Sequence, residues 1–87
     1  NPKHPDALRL KADTLLAEGD TAAAERQLLA AKLVNPRDEA TLARLAAIKY
    51  LLRKPGDVAA IEKEVLAFDA KPGVFYAELA EVLSARK

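Results

Sequence analysis

The chain has 87 residues, one small domain's worth, and its 14 Lys and Arg against 13 Asp and Glu leave a net charge of +1, without the basic excess of a polyanion binder. The absence of Cys excludes a disulfide framework, a thiolate metal site and a cysteine nucleophile, and it leaves the compartment unreadable. No apolar run approaches the ~18 residues that a membrane span needs, while 19 Ala and 14 Leu beside few β-branched and aromatic residues favour helix.

Gly and Pro cut the chain into five segments. The first runs from Pro5 to Glu18 and stops at Gly19-Asp20; Leu8, Ala12, Leu15 and Leu16 give it an apolar stripe at helical spacing. Pro5 suits a first helical position, and Asp6 suits the positive end of the helix dipole. The second runs from Thr21 to Val34 and stops at Asn35-Pro36, with Ala24, Leu28 and Ala31 as its stripe. The third spans Arg37 to Arg53, with Asp38 and Glu39 in its first turn and Arg53 and Lys54 near its end. The fourth spans Asp57 to Phe68, with Asp57 as N-cap and Ile61, Val65 and Phe68 as its stripe. The fifth follows Lys71-Pro72-Gly73 and carries Tyr76, Leu79, Ala80 and Leu83. None of the five alternates as a strand does, and the short joints predict antiparallel neighbours.

The sequence also repeats itself. A shift of 34 aligns Leu8, Leu42 and Tyr76, then Ala12, Ala46 and Ala80, and sets Asn1-Pro2-Lys3-His4 on Asn35-Pro36-Arg37-Asp38. Lys11 and Lys49 depart from otherwise apolar columns. In the second helices the best shift grows to 37, pairing Ala24, Leu28 and Ala31 with Ile61, Val65 and Phe68 across a longer joint at Lys54-Pro55-Gly56. The small-residue column at 12, 46 and 80 marks places where helix backbones approach closely, so a larger side chain there overpacks.

The run from Leu8 through Ala12, Leu15, Gly19-Asp20, Ala24, Leu28, Ala31 and Asn35-Pro36 resembles the tetratricopeptide repeat (TPR) family, whose units are 34-residue helix–turn–helix hairpins. The resemblance implies an all-α, right-handed solenoid of antiparallel helix hairpins, about five helices or two and a half units. It divides the single domain into 1–4 (the end of a preceding unit), 5–38, 39–72 and 73–87, the last being a first helix of a third unit or a capping helix. The whole then reads as a window of a longer array. Two segments alone leave an apolar stripe exposed, and stacking further pairs buries it.

Little in the chain points to catalysis. His4 is the sole histidine, and one imidazole does not make a zinc site. No Gly-rich phosphate loop, HExxH or GxSxG is present. The carboxylates read as caps, helix-start charges and solvated faces, and no spacing marks an acid–base pair. Arg37, Arg44, Lys49, Arg53 and Lys54 form the one basic concentration, but Arg44, Lys49 and Arg53 do not all share a helix face, although Lys49 and Arg53 are four apart, and 5% aromatic content offers no base-stacking platform. The expectation is therefore no enzyme, no cofactor, no metal, no nucleic acid and no direct membrane insertion.

In TPR-like arrays the functional surface is the groove lined by first helices. By that resemblance Asp6, Arg9, Asp13 and Leu16 face it in the first unit, Ala40, Ala43, Ala47 and Tyr50 in the second, and Val74, Ala77, Glu81 and Ser84 in the third. The carboxylate clamp of heat-shock-chaperone adaptors does not fit: Asp13 stands where an Asn is wanted, and Val74 and Glu78 replace cations. The expected groove residues are Arg9, Asp13, Leu16, Ala43, Ala47, Tyr50 and Glu81, with Tyr50 either anchoring a protein segment or packing against Leu16 or Leu52. The final helix is apolar on more than one side, so Val74, Phe75, Leu79 and Val82 are expected to seek a partner helix or a second copy. The expected function is a non-catalytic protein–protein interaction scaffold or a rigid spacer. The alternatives are a self-assembly module working through the final helix, giving a homo-oligomer, and the TPR arm of a bacterial envelope or exopolysaccharide-secretion machine.

Overall fold

The computed structural model describes residues 5–85. The stretch 1–4, read above as the end of a preceding unit and including His4, lies outside the described residues, as do Arg86 and Lys87. The described residues form five α-helices and no strand: α1 (Pro5–Ala17), α2 (Thr21–Val34), α3 (Glu39–Leu51), α4 (Pro55–Leu66) and α5 (Gly73–Ala85). α3 is the hub and packs against α2, α4 and α5, while α1 packs chiefly on α2.

Composition explains the helices, and local chemistry sets their ends. Asp20 caps α2 by accepting the Ala23 N–H at 3.1 Å. Asp38 caps α3: one carboxylate oxygen accepts the Ala40 N–H at 3.3 Å and the other accepts the Thr41 hydroxyl at 2.9 Å. α5 has no cap of its own, because Pro72 precedes it; its third N–H, that of Phe75, is accepted at 3.0 Å by Glu39, which reaches across from the start of α3.

The turn between α3 and α4 differs from the sequence reading. α4 starts at Pro55, with Lys54 in the cap position and no side-chain cap bond, so Gly56 and Asp57 lie inside its first turn and Asp57 is not the N-cap. Proline is favoured at the first helical position because its missing N–H has no helical partner there. The joint is therefore no longer than the one between α1 and α2. Arg53 adopts a left-handed φ of 60°, in the register of Gly19 with φ 84°. Both turns carry the same bonds: Gly19 N–H to Leu16 C=O and Asp20 N–H to Leu15 C=O in one, Arg53 N–H to Tyr50 C=O and Lys54 N–H to Lys49 C=O in the other. This is the Schellman closure of a helix end. The return joints match as well, since Asn35 accepts the Arg37 N–H and Asp69 accepts the Lys71 N–H through their side chains. In place of the 37-residue shift inferred for the second helices, the backbone holds a 34-residue interval throughout: helices begin at 5, 39 and 73, and at 21 and 55.

The core is built from Ala12 and Leu16 of α1, Ala24 and Leu28 of α2, five residues of α3 from Leu42 to Ile48, Val65 of α4 and Phe75 of α5. Burying a side chain of the size of Leu28, Leu42 or Phe75 contributes ~1.5–3 kcal/mol each. Val58, Ile61, Phe68, Leu79 and Val82 pack partly buried against this centre. Ala12 and Ala46 are fully buried, as the small-residue column requires, but Ala80 in the same column is exposed. α1 and α3 each have a second helix lying on that face, and among the described residues α5 has none.

Lys49 sits in an apolar column but finds a charge partner, with its ammonium 2.7 Å from Glu25 of α2. That hydrogen bond, set against partial burial, raises the Lys49 pKa. Lys11, in the column of Leu45 and Leu79, is exposed on the outer side of α1.

Candidate functional site

α1, α3 and α5 together line an open cleft of about 410 Å³. α1 contributes Asp13, Leu16 and Ala17, α3 contributes Arg44, and α5 contributes Glu78, Glu81, Val82 and Ala85. The repeat explains the arrangement. Arg44 and Glu78 occupy one register position 34 residues apart, and Asp13 and Glu81 occupy another at twice that interval.

The polar centre of the cleft is Arg44, whose side chain is 12% exposed. It donates from Nε and Nη2 to the two oxygens of Asp13, at 2.8 and 3.2 Å, and from Nη1 to the Ala40 carbonyl at 3.0 Å. Glu78 Oε2 lies 3.6 Å from the same Nη1. This two-pronged pairing with Asp13 is the strong form of the arginine–carboxylate contact. Burial works against the charge of Arg44, but Asp13, Glu78 and Asp38 outweigh it and the pKa is raised. Three carboxylates thus surround one guanidinium, and that guanidinium is already engaged. Leu16 and Val82, with Ala17 and Ala85, form the apolar walls.

The expected groove residues are distributed unevenly. Asp13, Leu16 and Glu81 lie together on the cleft. Arg9 does not join them, because its guanidinium pairs with Asp38 and Asp6 and clasps the start of α3 to α1. Ala43 and Ala47, expected on the groove, are fully buried, since α3 is enclosed by three helices and its small side chains are spent on packing. Tyr50 is 60% exposed, at the far end of α3 beside a separate shallow cleft with Leu51, Arg53 and Pro55. The charged pair Arg44 and Glu78, with Ala17, Val82 and Ala85, lines the cleft without standing in the expected groove set. The signal that would have found the pair is its shared repeat register with opposite charge.

The residues expected to seek a partner helix are also redistributed. Phe75 is fully buried, and Leu79 and Val82 pack on the core, so this side of α5 is satisfied within the chain. Only Val74 of the four is exposed. The open face of α5 instead carries Tyr76, 44% exposed, and Ala80, the counterparts of the buried Leu42 and Ala46. Tyr76 donates its hydroxyl to Glu62 of α4 at 2.7 Å and stacks edge-on to Phe75.

A pairing that the sequence spacing did not mark joins the starts of α3 and α5. Burial raises the Glu39 pKa, and a side-chain hydrogen bond with Asp69 adds to the rise; the Phe75 N–H works in the opposite direction. Its evident work is structural, holding α5 on α3. Among the described residues, no group of three or more His, Cys, Asp or Glu is placed to hold a metal ion, and no helix is long and apolar enough to cross a membrane. No protein-family model, curated protein or solved structure matches this chain.

Proposed function

We propose that this chain is a non-catalytic scaffold of the tetratricopeptide type, a short right-handed stack of helix hairpins that binds a segment of a partner protein in the cleft between α1, α3 and α5. The observation that carries the reading is the 34-residue interval, kept by five helix starts and by two kinds of turn. Ion pairs support it. Arg44 joins α1, α3 and α5 in one row, and Lys32 of α2 pairs with Glu64 of α4 at 2.8 Å in another. First helices beside first helices and second beside second is the arrangement a stack of hairpins needs. A cleft of this size, with apolar walls and a few convergent polar groups, has the form of a ligand site. The test is to screen the chain against an array of random decapeptides and map the best binder by amide chemical-shift changes. Shifts centred on Asp13, Arg44, Glu78 and Glu81 are expected. The absence of any binder, or shifts centred elsewhere, refutes the proposal.

A second reading, self-assembly, is favoured by the open face of α5. Tyr76 and Ala80 are exposed there, where the equivalent Leu42 and Ala46 of α3 are buried. Light scattering over a concentration series tests it. Mass that rises with concentration and falls back on Ala80→Glu supports self-assembly, and a constant monomer mass excludes it. Phe75→Glu is unsuitable for this purpose because Phe75 is core.

A further inference from the structure

Resting on the groove reading above, we propose that the segment taken by the cleft is cationic, presenting a Lys or Arg side chain beside an apolar residue. The argument starts from the donors and acceptors that remain. Among the described residues Arg44 is the one cation on the cleft wall, and three of its five N–H groups already donate to Asp13 and the Ala40 carbonyl, with Glu78 3.6 Å from Nη1. An anionic partner would therefore meet one largely engaged guanidinium against three carboxylates, Asp13, Glu78 and Glu81. Glu81 is exposed, on the next turn of α5 from Glu78. Glu78 spends one oxygen on a long contact with Arg44, and Asp13 remains 41% exposed behind its pairing. Among the described residues the unbalanced charge on the wall is negative, one cation against three carboxylates, and complementarity selects a positive partner.

The walls refine the class. Leu16 and Val82 line the same cleft as Glu78 and Glu81. A Lys or Arg side chain has an aliphatic stem that covers apolar surface and a charged head that stays with carboxylates and water. This pairing of walls and rim accepts such a side chain end to end. A purely apolar segment would cover the carboxylates without supplying donors, which carries a desolvation cost. A free small cation would gain nothing from Leu16 and Val82. The occupant is thus a basic, partly apolar protein segment.

The test uses three fluorescein-labelled peptides on one Ala/Leu frame, carrying Lys, Gln or Glu at the same positions, titrated into the full chain by fluorescence anisotropy at low and high salt. The Lys peptide should bind about ten-fold or more tighter than the Gln peptide, with the difference shrinking at high salt, and the Glu peptide should bind weakest. Glu81→Gln leaves the packing untouched and should weaken the Lys peptide about three- to ten-fold while leaving the Gln peptide unchanged. Asp57→Asn on α4 removes the same net charge away from the cleft and should leave the Lys peptide unaffected. Equal binding of all three peptides overturns the charge preference and leaves the groove reading standing. A loss on Asp57→Asn as large as that on Glu81→Gln overturns it too, by showing non-local attraction. If neither these peptides nor any member of the random array binds, both readings fail together. Binding of a random-array peptide without basic residues, at these same cleft amides, overturns the cationic class alone.

Discussion

Ala46 and Ala80 stand in one column of the repeat, yet one is sealed in the core and the other faces solvent. Replacing each with Leu isolates packing from helix propensity, because both are mid-helix and Leu is nearly as good a helix former as Ala. At Ala46 the added atoms have nowhere to go: the residue is 0% exposed and lies in a core shared by all five helices. If space existed, three extra carbons would gain ~2.4 kcal/mol at about 0.8 kcal/mol per buried carbon. Without it, displaced rotamers and backbone shifts cancel that gain and leave a net cost of ~1–3 kcal/mol. For a chain of this length, whose total stability is on the order of 4–13 kcal/mol, that is a large fraction. It should lower the melting temperature by roughly 4–8 °C for each kcal/mol lost. Ala80→Leu should change stability by no more than about 0.5 kcal/mol. Urea denaturation followed by circular dichroism, with both variants and the parent at one protein concentration, measures the contrast. Tolerance of Ala46→Leu would refute the packing of α3. An equal penalty at Ala80 would show that the α5 face is covered.

Two further outcomes follow from the turns and the α3–α5 joint. Arg53→Gly should stabilise the chain by ~0.5–1 kcal/mol, because a non-glycine residue in the left-handed region carries strain that Gly does not. Gly19→Ala should cost about as much, since an added Cβ there meets no atom within 4 Å and the penalty is backbone alone. Denaturation midpoints that move the same way for both would refute the matched-turn geometry. Glu39→Gln tests this half-buried carboxylate through pH. The folded pKa of Glu39 is raised above its ordinary 4.5, so the folded chain binds this proton more tightly than the unfolded chain does. That contribution to stability is fully present below pH 4.5 and is lost as pH rises through the folded value. The amide keeps an oxygen for the Phe75 N–H and does not titrate. The variant should therefore gain stability relative to the parent between acidic and neutral pH, and parallel stability–pH curves for the two would contradict the assignment.

Helix identity was legible at the sequence level because it is local. Ala and Leu at helical spacing, Gly-Asp and Asn-Pro joints, and a cap such as Asp20 act within a few residues of themselves. α2 is read to its ends for this reason, and the buried column at Ala12 and Ala46 follows from repetition. The turn before α4 was misread because two local signals compete there. Pro55-Gly56 reads as a loop, yet Pro55 opens the helix and Arg53 takes the left-handed place that Gly holds in the first unit. Sequence favours Gly at such a position but does not forbid Arg, since the strain is small beside the packing of α4 on α3.

The groove was harder to read, because a helix face has no fixed environment until its neighbours are placed. Ala43, Ala47 and Phe75 share apolar character with residues that line clefts, and nothing within the α3 or α5 sequence says that other helices enclose them. Arg9 and Arg44 look alike as exposed cations in a sequence. Pairing across helices spends Arg9 on the cap of α3 and sets Arg44 among Asp13 and Glu78, residues 31 positions before it and 34 after. The sequence by itself determined the number of helices and the 34-residue interval of the first helices, through propensity, capping and turn chemistry that act over a few residues. Tertiary structure decided which side of each helix is buried and which charges remain unbalanced, because burial and ion pairing depend on side chains that meet only when the chain has folded.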